Sequence, residues 1–192
     1  MNPFVVSAAV VAVAEIGDKT QLLALVLAAK FRKPTPIILG ILIATLANHV
    51  AAAAVGTWVS GVTGPDVMRW LLGISFIAIG IWTLIPDKPD LDDEKPSTED
   101  GWGVFGTTAM AFFLLEMGDK TQIATVTLAA KYANLALVTS GTTFGMMLAD
   151  VPAVLLGEMV AKKLPLVLVR AVAAAIFVAL GVVALLGGVP RF

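Results

Sequence analysis

Long apolar runs dominate this chain, where a soluble protein would show short alternating stretches or narrow amphipathic stripes. Six segments approach the roughly 20 mostly apolar residues that a bilayer-crossing helix needs: 3–29, 36–59, 69–86, 103–130, 135–160 and 166–188. Polar, Gly- or Pro-containing breaks separate them at 30–34, 61–65, 86–101, 131–134 and 162–165. Trp58, Trp70, Trp82 and Trp102 fall near the proposed span ends, where amphipathic rings favour the membrane interface. The pattern predicts an all-α membrane protein with six transmembrane helices.

The pattern also repeats. Glu15-Ile16-Gly17-Asp18-Lys19-Thr20-Gln21 recurs as Glu116-Met117-Gly118-Asp119-Lys120-Thr121-Gln122, at an offset of 116 − 15 = 101 residues. Ala28-Ala29-Lys30 returns as Ala129-Ala130-Lys131, and Gly40, Gly56, Arg69 and Gly80 return as Gly141, Gly157, Arg170 and Gly181. Asn48 aligns with Asp150 if one residue is inserted. The expected organisation is a three-helix repeat over 1–85, an acidic cytoplasmic linker over 86–101, and a second three-helix repeat over 102–192. Three is odd, so the second copy enters the membrane upside down. Inverted repeats with a site near the midplane characterise secondary transporters.

Composition narrows the class. Of 192 residues, 58% are hydrophobic, above the roughly 45–50% usual in globular domains, and the mean hydropathy is +0.92. A net charge of −1 gives no basis for nucleic-acid binding. With no cysteine there is no disulfide or thiolate metal site, and with one histidine, His49, an imidazole-rich site cannot be built. The N-terminal segment lacks the basic start and clean apolar run of a signal peptide. Lysine and arginine concentrate in the first, third and fifth loops (Lys30, Arg32, Lys33, Lys88, Lys95, Lys162, Lys163), which predicts that those loops are cytoplasmic and both termini outside. The central loop carries seven of the 14 acidic residues and reads as a solvated linker, or as an antenna that gathers cations.

Of the other seven acidic residues, Glu15, Asp18, Glu116, Asp119 and Asp150 fall within spans. A carboxylate there costs at least about 2.5 kcal/mol on insertion scales, so it points to function. On a continuous helix, the three-residue spacing within each motif puts Glu and Asp on one face, with Lys19 and Lys120 four positions after their glutamates. Two such faces meeting would bring together Glu15, Asp18, Glu116 and Asp119 as ligands of a hard divalent cation. Lys19, Thr20, Gln21, Lys120, Thr121, Gln122, Asn48 and Asp150 would serve in supporting or proton-path roles. Gly17 and Gly118 permit close helix approach or a local break that exposes carbonyls. Plainer readings exist: structural ion pairs for the carboxylates, bonds to their own helices for the threonines, interhelical hydrogen bonds for the glutamines, packing for His49, and an interfacial pair for Glu158 and Lys162. Four carboxylates and two ammonium groups sum to −2, which one divalent cation or two protons would neutralise.

The paired E-x-G-D-K-T motif, once in the first helix of each half, resembles that of the MneA-type manganese exporters and their Golgi relatives, small cation/proton antiporters. The resemblance covers essentially the whole chain. It implies export of Mn²⁺, or Ca²⁺ in some members, from the cytoplasm in exchange for protons, with metal-site carboxylates at Glu15, Asp18, Glu116 and Asp119. It implies no resident cofactor beyond the transported cation, lipid surroundings, and for this short form a bacterial inner membrane. Three rivals stand beside it. One is a passive divalent cation channel, which needs a continuous weak-binding path. Another is a non-transporting scaffold. The third is an intramembrane enzyme, for which there is no Gly-x-Ser-x-Gly elbow or His-x-x-His pattern.

Overall fold

A computed structural model describes residues 2–85, 101–156 and 166–186. The central acidic segment, Glu158 and Lys162 therefore lie outside the described residues. Everything described is helix or short connection: α1 (Pro3–Glu15), α2 (Lys19–Phe31), α3 (Pro34–Val62), α4 (Pro65–Thr83), α5 (Gly101–Glu116), α6 (Lys120–Tyr132), α7 (Leu135–Leu156) and α8 (Leu166–Leu185). Among these, the segments Pro34–Val62, Asp66–Thr83 and Leu135–Leu156 are long and apolar enough to cross a membrane.

The first and fourth predicted spans are not continuous. Each is two short helices, α1 with α2 and α5 with α6, interrupted inside the acidic motif. The interruption has a local cause. After Glu15 the backbone turns extended at Ile16 (φ −63°, ψ 114°), then left-handed at Gly17 (φ 79°). Gly118 repeats the left-handed step at φ 78°, a conformation open to glycine because it lacks a Cβ. The ends of α2 and α6 also match. Arg32 and Ala133 are both left-handed (φ 51° and 47°), and each N–H caps a carbonyl one turn back.

Helix pairing follows the sequence repeat in exchanged form. α1 packs on α7 as α5 packs on α3, α3 also contacts α6 as α7 contacts α2, and α3 meets α7 centrally. At Gly40 an added Cβ would meet the Phe105 carbonyl at 2.9 Å and Thr108 Cβ at 2.8 Å; at Gly141 it would meet the Phe4 carbonyl at 2.5 Å and Ser7 Cβ at 3.0 Å. These are the same contacts with the halves exchanged, since 141 − 40, 105 − 4 and 108 − 7 all equal 101. Phe76 and Phe177, again 101 apart, face each other at 6.1 Å between ring centroids, where α4 meets α8. Such reciprocity is the signature of a two-fold relation between packed units.

The bundle exposes apolar side chains and buries polar ones within an otherwise apolar core. On α3 the buried face carries Thr45, Asn48 and His49, while Leu39, Ile43, Leu46 and Val50 form an exposed stripe. An apolar exterior around buried polar and acidic groups suits lipid as the solvent, and the chain is a membrane protein. Trp58, Trp70 and Trp102 are exposed near helix ends, as interface-seeking rings should be.

The close approaches give a test. Gly141→Ala should destabilise the detergent-solubilised protein by about 1–3 kcal/mol through overpacking. Gly106→Ala, where a Cβ meets nothing within 4 Å, should be neutral or slightly stabilising. Thermal melts of the two variants check this.

Candidate metal centre

Each broken helix ends on its glutamate and restarts after its aspartate. Asp18 and Asp119 occupy N-cap positions, yet neither side chain makes a cap hydrogen bond. The glutamine at the third helical position does the local work instead: Gly17 N–H donates to Gln21 Oε1 and Gly118 N–H to Gln122 Oε1, both at 2.8 Å. This is the reach-back of a capping box shifted by one residue. It leaves both aspartates available to the interior.

That interior is closed to the surface. Glu15, Asp18, Glu116, Asp119 and Asp150 are each at most 1% exposed. One carboxylate oxygen from each of Glu15, Asp18 and Asp119 lies within 4.8 Å of the others, a set drawn from both halves. The lysines cross over: Lys19 Nζ pairs with Asp119 Oδ1 at 3.0 Å, and Lys120 pairs with Asp18. Thr20 Oγ1 donates to Glu15 Oε2 at 2.5 Å and lies 3.4 Å from Asp18 Oδ2. Thr121 Oγ1 stands 3.4 Å from both Glu116 Oε2 and Asp119 Oδ2. Asp150 is near enough to Asp18, Glu15 and Glu116 for their charges to interact.

Two sequence expectations need correction here. Glu and Asp of one motif do not share a helical face, because no helix continues between them. Nor do the lysines pair with the glutamates four positions earlier. The extended and left-handed steps remove the i, i+4 register, and each lysine reaches the aspartate of the opposite half. The threonines bond carboxylates of their own motif, not backbone carbonyls of their own helices. Asn48 Nδ2 donates at 3.0 Å to the Phe113 carbonyl in the last turn of α5, a group the broken helix leaves without an intrahelical partner. Gln21 Nε2 reaches the Ala149 carbonyl on α7 at 3.2 Å, so it ties elements together as well as capping one. Glu116 is buried beside Thr121 and Asp119, but it stands outside the tight three-carboxylate set.

Several buried acceptors have no hydrogen-bond partner among the described residues: Glu15 Oε1, Glu116 Oε1 and both oxygens of Asp150. The same is true of both ring nitrogens of His49, which sequence reasoning assigned to packing or hydrogen bonding. His49 Nε2 lies 3.8 Å from Glu116 Oε2, at the edge of the cluster. Buried polar atoms are seldom left unmet in native proteins. A cluster of them, oxygen-rich and surrounded by lipid-facing helices, can bind a hard cation or protons.

The sequence profile described as "Divalent cation/proton antiporter GDT1" matches residues 3–91 and 104–191, one block in each half. The chain belongs to this family. Among curated GDT1-type relatives, the "Putative manganese exporter" of Vibrio cholerae serotype O1 is 51% identical over 178 residues, covering 92% of this chain and 87% of that protein. "GDT1-like protein 4" of Oryza sativa subsp. indica is 26% identical over 187 residues, covering 85% of this chain and 66% of the rice protein. No solved structure matches the chain. Family membership makes it a divalent cation/proton antiporter with a metal ion and protons as substrates.

The crossed pairs can be tested by double-mutant cycles on folding stability. Lys120→Met should cost about 3–5 kcal/mol, because it strands Asp18 as a buried charge. Adding Asp18→Asn should recover much of that loss, whereas adding Glu116→Gln should not. Lys19→Met should cost less, since Lys19 is 20% exposed against 3% for Lys120.

Proposed function

We propose that this antiporter exports Mn²⁺ from the cytoplasm in exchange for protons across a bacterial inner membrane, using Glu15, Asp18, Glu116 and Asp119 as the cation site. The observation that carries the reading is the meeting of carboxylates from both halves within 4.8 Å, buried and bridged by crossed lysines. The preference for Mn²⁺ and the outward direction rest on the Vibrio cholerae relative, whose description is that of a manganese exporter. Ca²⁺ is the second candidate on the oxygen ligands alone.

Six spans in two inverted repeats fit the reciprocal contacts at the 101-residue offset. In that arrangement α1 and α2 together make one crossing, as do α5 and α6. Helices of 13 residues are only about 20 Å long, short of a hydrocarbon core of about 30 Å, so α1 and α2 must be joined to cross it and their break lies inside the bilayer. Half-helix ends at that depth are what inverted-repeat transporters use to hold ions.

The charges then dictate exchange. Four motif carboxylates and two lysines sum to −2. One divalent cation or two protons neutralises this, and a low-dielectric interior penalises any other total. When the cation binds Asp18 and Asp119, Lys19 and Lys120 must give up part of their hold on those oxygens. Each lysine is tethered to the opposite half, so occupancy changes how the halves are joined. That gives the cation a different affinity for two packings, which is the requirement for alternating access. Asp150 counted as a fifth carboxylate makes the total −3, which is neutralised by three protons or by one cation and one proton, so the exchange stays at two protons per cation. Among the described residues the cluster is closed off from the surface, which disfavours a continuous pore.

Proteoliposomes loaded with a pH-sensitive dye check the reading. Mn²⁺ flux should drive counterflow of two protons per ion, with or without Asp150, and setting the membrane potential should not change the balance point. Glu15→Gln and Asp119→Asn should each lower the flux by at least about a hundredfold, the scale expected when a buried charge-stabilising group is lost. Mn²⁺ flux with no proton movement would identify a channel.

A further inference from the structure

The two halves are related by a constant offset, but they are not chemically equal at the site. The motif, Gly40 with Gly141, and Phe76 with Phe177 all keep the 101-residue spacing. Without any insertion, the same spacing pairs His49 with Asp150, since 150 − 49 = 101. The structure agrees with this pairing over the Asn48 alignment. Asn48 is engaged with a backbone carbonyl of α5. His49 on α3 and Asp150 on α7 are instead both fully buried, with every side-chain nitrogen or oxygen unpartnered among the described residues. One half thus offers a carboxylate to the cluster where the other offers an imidazole.

We infer that His49 is a nitrogen ligand of the transported cation and the residue that makes the site prefer Mn²⁺ over Ca²⁺ and Mg²⁺. The inference rests on the cation site proposed above and adds its selectivity. The geometry suits it. His49 Nε2 stands 3.8 Å from Glu116 Oε2, and two ligands of one ion bonded at about 2.1–2.3 Å stand roughly 3–4.5 Å apart. Glu116 connects through Thr121 Oγ1, 3.4 Å from each, to Asp119 of the three-carboxylate set. His49 thus adjoins Glu116, one of the four motif carboxylates, and reaches the three-carboxylate set through it.

The chemistry suits it too. Ca²⁺ and Mg²⁺ take oxygen ligands almost exclusively; Mn²⁺ also favours oxygen, but as a first-row transition ion it gains more from one imidazole than they do. A shell of carboxylates alone would leave Mn²⁺ little advantage over the far more abundant hard ions. One nitrogen in an otherwise oxygen shell supplies a discriminating bond while keeping the site weak enough to release its cargo. Neither ring nitrogen of His49 makes a hydrogen bond among the described residues, and the polar group beside the ring is the Glu116 carboxylate, 3.8 Å from Nε2.

His49 is the chain's one histidine, which makes a direct test clean. Full-length protein, with any affinity tag removed, is prepared with ¹⁵N-labelled histidine and loaded with Mn²⁺ alone. Pulsed electron paramagnetic resonance should show a nitrogen coupling that changes from the ¹⁴N to the ¹⁵N pattern on labelling. Mn²⁺ that is bound, and lost in Glu15→Gln or Asp119→Asn protein, but shows no histidine coupling overturns the role of His49 and leaves the carboxylate site standing. Mn²⁺ binding indifferent to those carboxylates, or no binding, removes the site and this inference together. In liposomes, His49→Asp makes the halves alike. It should reduce the Mn²⁺/Ca²⁺ flux ratio by at least about tenfold while retaining Ca²⁺ flux. An unchanged ratio overturns the inference, and the spectroscopy on wild-type protein decides the matter if that variant does not fold.

Discussion

Lys19 with Asp119 and Lys120 with Asp18 form two ion pairs that cross between the halves, with both aspartates and Lys120 buried and Lys19 largely so. A charge in that setting must be met by another charge, by a proton or by an ion, because solvation cannot offset it. Much else follows from this requirement. The helices carrying the motifs must come close enough for a lysine to span from one half to the other. The carboxylates beyond the two pairs are left in excess, and on the proposed reading that excess is what a divalent cation would meet.

The broken helices make this geometry possible. An unbroken helix would direct each lysine at its own glutamate and satisfy the motif locally. The left-handed glycine and the glutamine that reaches back to its N–H abolish that register at little cost in hydrogen bonding. Asn48 meets a carbonyl that the break exposes. The residues around the carboxylates therefore divide into those that hold the break open and those that face the interior. The glutamines and Asn48 belong to the first group. The threonines, lysines, Asp150 and His49 belong to the second.

The near-symmetry of the halves has a mechanical consequence. Reciprocal close approaches, Gly40 on Phe105 and Thr108, Gly141 on Phe4 and Ser7, give the two halves the same packing with roles exchanged. Two halves of equal build can trade conformations with little difference in packing free energy. A small differential affinity for cation or proton then suffices to bias them. His49 in one half, where the 101-residue offset places Asp150 in the other, is a departure from that equality.

By itself the sequence determined the membrane class, the duplication, the acidic motifs and the family, since each is carried by composition, run length or local spacing. Helix propensity and hydropathy are local quantities, and they read the stretches 3–29 and 103–130 as unbroken because their apolar content never falls far enough to signal an end. The glycine at each break was visible, but whether it allowed close packing or a turn depended on what stood opposite. Only the tertiary structure decided which partner each lysine takes, that Asn48 secures a helix end, and that His49 stands beside Glu116. Those choices depend on side chains about a hundred positions away in the chain, and no pattern within one helix encodes which of two equally spaced carboxylates a buried ammonium group will reach.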